Sequence, residues 1–251
     1  MEELRMFSAG SANDESHTHL WVKGASLFIS QLNSLIDTHR PEYTFSVVDI
    51  NEFNSDNLEL KMLFDICGSD KSNNHNYHIL YSYIISQLGR DSNLNLLEIG
   101  LGTNNPKLVS SMGYHARPGA SLFAFRAYLP NSSIYGADID KDILFESERI
   151  KTTYVDQLDY TTFEGINTAF GNIKYDIIID DGLHSIGANF NTLLFALGAL
   201  KPKGWLIIED IHILDNWKSI DYVLRGNPKY KTYMIKANNS GMYAVNLLTD
   251  S

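Results

Sequence analysis

Cysteine is almost absent: Cys67 alone stands in 251 residues, so no disulfide can form within the chain and a reducing, cytoplasmic setting is expected. Proline numbers only 6 and glycine 17, with 20% of residues charged, which excludes collagen-like and disordered chains. No window approaches the roughly 18 apolar residues that a membrane helix needs. The first residues lack the basic region and apolar core of a secretory signal. Basic residues are short as well: 20 Lys and Arg face 30 Asp and Glu, a formal charge of −10. Such a surface repels nucleic-acid backbones and anionic lipid, and the pairs Lys201/Lys203 and Lys229/Lys231 are too small to reverse it. The expected partner is a small sugar-like molecule, with no nucleic acid and no membrane.

What is present is 44% apolar residues, enough for one large core with a small appendage. Residues 1–16 are polar and aperiodic and read as a mobile arm. Residues 17–67 read as a small N-terminal subdomain: a short strand at 19–22, a helix whose apolar face is Leu27, Phe28, Leu32, Leu35 and Ile36, a strand at 43–50 and a helix at 58–67. This segment offers a surface for self-association into a homo-oligomer. A helix at 77–88 follows Gly68-Ser69-Asp70-Lys71-Ser72-Asn73-Asn74-His75-Asn76, a linker rich in turn formers that is either a surface loop or a flap over a site. From residue 94, strands at 94–99, 133–139, 151–155, 175–179 and 205–209 alternate with helices at 120–128, 161–169 and 186–200. That rhythm predicts an α/β fold with a parallel sheet covered on both faces. Two final extended runs, 229–236 and 242–248, joined by residues 237–241, predict an antiparallel hairpin closing the sheet.

The chemistry gathers at strand ends. Leu96-Leu97-Glu98-Ile99-Gly100-Leu101-Gly102 is an apolar strand ending in Gly-x-Gly, which allows a sharp turn and close approach of a nucleotide-like ligand to the main chain. The dinucleotide fingerprint needs another glycine where Asn105 stands, which argues against a dehydrogenase. The second strand ends in Asp138, and an inserted loop at 103–118 accounts for its distance from Gly102. The third ends in Asp156-Gln157. Glu98, Asp138 and Asp156 thus share the edge where open α/β sheets bind ligands. The fourth strand gives Asp180-Asp181-Gly182-Leu183-His184 and the fifth Glu209-Asp210-Ile211-His212. Adjacent strands lie about 5 Å apart, so these acids can converge, and clustered carboxylates repel unless a hard cation such as Mg²⁺ or Mn²⁺ joins them. Acids that merely cap helices or meet solvent are the alternative. His184, three residues after Asp181, is placed to take a proton near a metal-bound hydroxyl, or else to bond backbone at a helix start. His212 and His75 are weaker candidates.

These segments, in this order, resemble the class I S-adenosylmethionine-dependent methyltransferases: Leu-Glu-Ile-Gly-Leu-Gly, Gly-Ala-Asp-Ile-Asp and Asp-Asp-Gly-x-His. More narrowly, Arg117-Pro118-Gly119-Ala120-Ser121-Leu122, Asp156-Gln157 and Ile208-Glu209-Asp210 look like the metal-dependent sugar O-methyltransferases, the mycinamicin 2''-O-methyltransferase-like group and enzymes of bacterial polysaccharide sugars. The resemblance runs over roughly residues 68–248, and residues 68–251 are expected to form the methyltransferase domain. It implies a Rossmann-like doubly wound sheet with an antiparallel C-terminal strand. It also implies methyl transfer from S-adenosyl-L-methionine to a sugar hydroxyl, on a nucleotide-activated sugar of surface polysaccharide. Metal ligands would be Asp181, Glu209 and Asp210, with His184 as general base and Asp181 beside it in the catalytic centre. Glu98, Gly100, Gly102 and Ser121 would lie by the methionine part of the cofactor, Asp138 on the ribose, Asp156 and Gln157 near adenine, and Asp180 among the cofactor contacts. The 68–77 segment is similar to one that folds over the cofactor, whereas the 103–118 loop departs from the family pattern. Methylation of phenolic or catechol products, and a cofactor-binding module without chemistry, stay open as alternatives.

Overall fold

The computed structural model describes residues 15–55, 57–114 and 117–248. All but the last two residues of the expected 1–16 arm lie outside them. The elements run α1 (Glu15–His39), β1 (Val47–Asp49), α2 (Leu58–Cys67), α3 (His78–Leu88), β2 (Asn95–Ile99), α4 (Ala120–Tyr128), β3 (Ser133–Asp138), β4 (Glu146–Ser147), β5 (Ile150–Tyr154) and α5 (Phe163–Phe170). Then follow β6 (Tyr175–Asp180), α6 (Ile186–Ala199), β7 (Leu200–Ile211), α7 (Lys218–Arg225), β8 (Tyr230–Lys236) and β9 (Gly241–Leu247).

The strands form one sheet in the order β1-β8-β9-β7-β6-β2-β3-β5-β4. Strands β1/β8, β7/β6, β6/β2, β2/β3 and β3/β5 pair in parallel, while β9 runs antiparallel to both β7 and β8. The hairpin expected at the end of the chain is there, but its second strand inserts between β7 and β8 instead of closing the edge. Side chains of neighbouring residues in a strand point to opposite faces, so each central strand feeds two cores. Leu96, Ile177, Ile179 and Ile207 pack with Leu60, Phe64, Leu80 and Phe125 of α2, α3 and α4. Leu97, Ile178, Leu206 and Ile208 pack with Phe163, Leu193, Ala196 and Leu224 of α5, α6 and α7. Burial on both faces explains why these strands carry continuous apolar runs. Among the described residues no helix is long and apolar enough to cross a membrane.

The N-terminal part differs in detail from the expectation. Residues 19–22, expected as a strand, lie within α1, because nothing from residue 15 to 23 is Gly or Pro and the helix continues through a four-residue run too short to break it. The face of α1 that packs carries Ala25 and Ile29, while Leu27, Phe28 and Leu35 are exposed. Strand β1 is shorter than the expected 43–50 and joins the main sheet through β8, with Val47 opposite Met234. Helix α7 is absent from the sequence reading; eight residues give barely two turns of periodicity.

Asp221 on α7 ties this part to the rest. Its fully buried carboxylate accepts from the Tyr43 hydroxyl at 2.6 Å and the Tyr243 hydroxyl at 3.1 Å, and Arg225 Nε lies at 2.8 Å. Truncation would leave the Tyr43 and Tyr243 hydroxyls without their acceptor around a void, while Arg225 turns to solvent. Asp221→Ala is expected to cost about 1–3 kcal/mol in urea unfolding, the range for leaving the hydroxyl partners of a buried carboxylate unsatisfied, since Arg225 keeps access to solvent.

Candidate functional site

Strand register decides which acids meet. Glu98 pairs with Ile179 across β2 and β6, and Ile179 pairs with Ile207 across β6 and β7. Two residues further on, Asp181 and Glu209 therefore fall on the same face as Glu98, the face covered by α2, α3 and α4. Lys71, from the 68–76 linker, enters this cluster from above. Its side chain is 2% exposed and its ammonium lies 2.5 Å from Asp181 Oδ2, 3.1 Å from Glu98 Oε1 and in direct contact with Glu209 Oε2. The other oxygen of Glu209 accepts from the Tyr81 hydroxyl, and Glu98 Oε2 accepts from Ser121 Oγ at 2.6 Å. Burial disfavours the ammonium, but Asp181, Glu209 and Glu98 outweigh it and hold the Lys71 pKa well above the ordinary lysine value. Burial, opposed by Lys71, raises the Glu98 pKa and carries that of Glu209 well above the usual carboxylate range.

Strict alternation would send Asp210 to the opposite face from Glu209. The β7/β9 register shifts between Ile208 and Ile211, and Asp210 adopts a left-handed φ of 55°. The bulge lets Asp210 Oδ1 accept from the Tyr77 hydroxyl at 2.6 Å, one helical turn before Tyr81. Burial would raise the Asp210 pKa, yet the Tyr77 hydroxyl, His184 and His75 outweigh it and the pKa is lowered. His75 stacks on Tyr77 with ring centroids 4.9 Å apart, and its Nδ1 lies 3.7 Å from Asp210 Oδ1. His184, also left-handed at φ 53°, precedes Ser185, whose side chain caps α6 through the Ala188 amide. Its Nε2 lies 3.6 Å from Asp210 Oδ2 and 3.8 Å from Asp181 Oδ1. Non-glycine residues held in this region of backbone space concentrate at functional sites.

Asp181, His184 and Asp210 offer ligand atoms that all lie within 4.8 Å of one another. Two carboxylate oxygens and an imidazole nitrogen suit Mg²⁺ or, better, Mn²⁺. Glu209, expected as the third ligand, stands apart from this trio with its oxygens on Lys71 and Tyr81. The trio closes one end of a cleft of about 220 Å³. Gly100, Gly102, Asp138, Asp156 and Gln157 line the same cleft, and Thr103, Ser110 and Met112 bring the 103–118 loop into its wall.

Several of these groups are already engaged. Asp138 accepts from the amides of Leu101 at 2.7 Å and Asp140 at 2.8 Å, and burial raises its pKa. Gln157 donates to Asp180 and Thr192 and accepts from the Leu183 amide at 2.8 Å, so its side chain braces the wall that carries Asp181 and His184. Glu98, Ser121, Asp180 and Glu209 are outside the lining. Asp180 shares the strand face of Ile178, and its oxygens accept from Gln157 at 2.8 Å and Asn189 at 3.1 Å under α6. Asp180, expected among the cofactor contacts, is thus held by side chains beneath the cleft surface. His212 is exposed just beyond β7. Lys71, Tyr77 and Tyr81 were not assigned roles by sequence reading; the first two lie in the 68–77 segment expected as a loop or a flap, and Tyr81 had no signal beyond its place on a predicted helix.

No family model matches the chain. In sequence it is 33% identical over 147 residues to 8-demethyl-8-alpha-L-rhamnosyl tetracenomycin-C 2'-O-methyltransferase of Streptomyces olivaceus, covering 57% of this chain and 35% of that protein. It is 34% identical over 125 residues to mycinamicin VI 2''-O-methyltransferase of Micromonospora griseorubida, covering 49% and 28%. The aligned stretch is thus a minor part of either relative's length. Among solved structures, the MycE methyltransferase of the mycinamycin biosynthetic pathway, in complex with Mg and SAH, superposes with a TM-score of 0.61 at 22% identity, over 78% of this chain and 56% of that one. The same enzyme with mycinamycin VI also bound gives 0.60 at 20% identity, over 78% and 56%. The chain has the class I methyltransferase fold and is similar in sequence to sugar O-methyltransferases.

Gly100 offers a local check of this geometry. Its φ is +93°, and a Cβ there would lie 2.1 Å from the Asp181 carbonyl oxygen, a backbone atom that cannot swing aside. Gly100→Ala is expected to lower stability by about 3 kcal/mol in calorimetry, through strain and a displaced Asp181.

Proposed function

We propose that the chain is an S-adenosylmethionine-dependent O-methyltransferase that methylates a sugar hydroxyl with the help of a divalent metal. The observation that carries this reading is one cleft joining the glycine turn after β2 and the acids Asp138 and Asp156 to the trio Asp181, His184 and Asp210. The similar proteins named for 2'- or 2''-O-methylation of a rhamnosyl tetracenomycin and of mycinamicin VI support it, as does the Mg and SAH of the solved relative. In this reading Gly100 and Gly102 lie against the methionine part of the cofactor, Asp138 against the ribose and Asp156 towards adenine, with Gln157 bracing the wall. Glu98 and Ser121 act from behind it. The sole cysteine, which can form no disulfide within the chain, supports a reducing, cytoplasmic setting.

Asp181 and Asp210 would hold Mg²⁺ or Mn²⁺ on the cleft side, while Glu209 contributes charge behind them. The chemistry a divalent ion would supply there is stabilisation of negative charge on the acceptor oxygen. His184, whose ring stands beside Asp181 and Asp210, would accept the hydroxyl proton as the acceptor oxygen attacks the methyl carbon and the carbon–sulfur bond breaks onto sulfur. Asp70, Asp138, Asp156, Asp181 and Asp210 line the cleft, and none of its described lining residues is Lys, Arg, Phe, Tyr or Trp. The rhamnosyl tetracenomycin and mycinamicin VI named for the similar proteins support a glycoside acceptor over the nucleotide-activated polysaccharide sugar and over a catechol.

His184→Ala is expected to reduce kcat by about 100-fold with metal affinity unchanged, the usual size of a general-base contribution. A loss confined to metal affinity would make His184 a ligand instead. Given one sugar in both forms, kcat/KM should be at least about tenfold higher for the neutral glycoside than for the nucleotide-linked sugar, a difference of about 1.4 kcal/mol; the reverse preference would restore the nucleotide sugar as acceptor.

A further inference from the structure

Lys71 sits where a metal ion could otherwise sit. Its ammonium lies among Glu98, Asp181 and Glu209, drawn from three adjacent strands, and is shielded from solvent by the linker that carries it. That linker is itself anchored: the Asn238 amide donates to Asn76 Oδ1 at 2.9 Å, Asn239 Nδ2 donates to the Asn74 carbonyl at 2.8 Å, and Ser72 Oγ bonds Asp65. Asp181 divides its two oxygens between two cation positions. Oδ2 faces Lys71 on the inner side at 2.5 Å, and Oδ1 faces His184 on the cleft side at 3.8 Å. The inner position has three carboxylates around it and is the more buried of the two, so for a free divalent ion it would be the deeper electrostatic well. An ion there would be walled off from the cleft, because neither Glu98 nor Glu209 lines it.

We infer that Lys71 is a positioning residue that fills the inner cation position permanently and thereby confines the divalent metal to the cleft side of Asp181, beside Asp210 and His184. Glu209 is then the counter-ion of Lys71 and not a metal ligand. The inference rests on the metal-assisted reading proposed above, but the location of the ion can be measured without any methyl acceptor.

Full-length Lys71→Met should bind Mn²⁺ at least about tenfold more tightly than wild type in calorimetry. Its anomalous diffraction peak should move inward, between Glu98, Asp181 and Glu209. Methyl transfer at saturating metal should fall by about 100-fold, since the ion no longer reaches the acceptor beside His184. Lys71→Arg, which keeps the positive charge, should restore the cleft-side peak and wild-type Mn²⁺ affinity. Unchanged Mn²⁺ affinity and position in Lys71→Met would overturn the inference. If that variant does not fold, the wild-type protein soaked with Mn²⁺ decides: a peak between Asp181 and Asp210 supports the assignment, and a peak at the inner position with Lys71 displaced refutes it. Mn²⁺ behaviour as described but no methyl transfer to any acceptor would sink the proposed activity while leaving the role of Lys71 standing.

Discussion

A buried ammonium among three carboxylates, two of them fully buried and the third shared with the cleft, is the interaction around which this site is arranged. Glu98, Asp181 and Glu209 come from neighbouring strands and face the same way because the strand period is two, and without a cation their mutual repulsion would force the strand tips apart. Lys71 supplies one positive charge against three acids, with Tyr81 and Ser121 donating to the remaining oxygens. The balance stays negative, and the unmet charge faces outward through Asp181 and Asp210. The tips of β6 and β7 are thereby held rigid behind the cleft while an attractive surface for a divalent ion is left in front. A tight core and a reactive rim are two sides of the same carboxylate, Asp181.

The backbone turns that potential into a site by two local departures from regularity. The bulge at Glu209–Asp210 sends successive acids to tasks on the same side of the sheet, one inward to Lys71 and one outward to Tyr77 and His184. The left-handed turn at His184 sets the imidazole ahead of the cap of α6 instead of burying it in the helix. Both residues are held in place from outside their own strand, Asp210 by a tyrosine at the start of α3 and the 181–184 turn by Gln157 beyond β5. The glycine-turn side of the cleft, the Asp181–His184–Asp210 side and the covering linker are thus parts of one network, so a change at any of Lys71, Tyr77, Gln157 or Asp181 is felt by the others.

Most of the central sheet was legible in the sequence because buried parallel strands write themselves as uninterrupted apolar runs ending in Gly or Asp, as in 175–180 and 205–210. Helices α2 and α4 have the expected boundaries because each carries several turns of apolar periodicity or a clear glycine stop, such as Gly68 after Cys67. The acids of the site were legible as a group but not in their separate roles. Counting alternate residues from Ile179 and Ile207 separates Asp180 from Asp181 and aligns Glu209 with Glu98, but it cannot anticipate the bulge that redirects Asp210. Lys71 was illegible for a different reason: a single lysine in a turn-rich linker has no periodicity, and its importance comes only from contacts more than a hundred residues away in sequence, to Asp181 and Glu209. The packed face of α1 was misjudged because apolar residues occur nearly all round that helix, and only its contact with α6 and α7 selects Ala25 and Ile29.

The account stands or falls on metal-assisted methyl transfer in this cleft. The most direct measurement incubates the purified full chain with methyl-labelled S-adenosylmethionine and a neutral glycoside, with Mg²⁺ present or removed by chelator, and follows label into the sugar. Label appearing in the glycoside only when Mg²⁺ is present is the predicted result. Equal labelling in excess chelator, or no labelling although the cofactor binds, would contradict it.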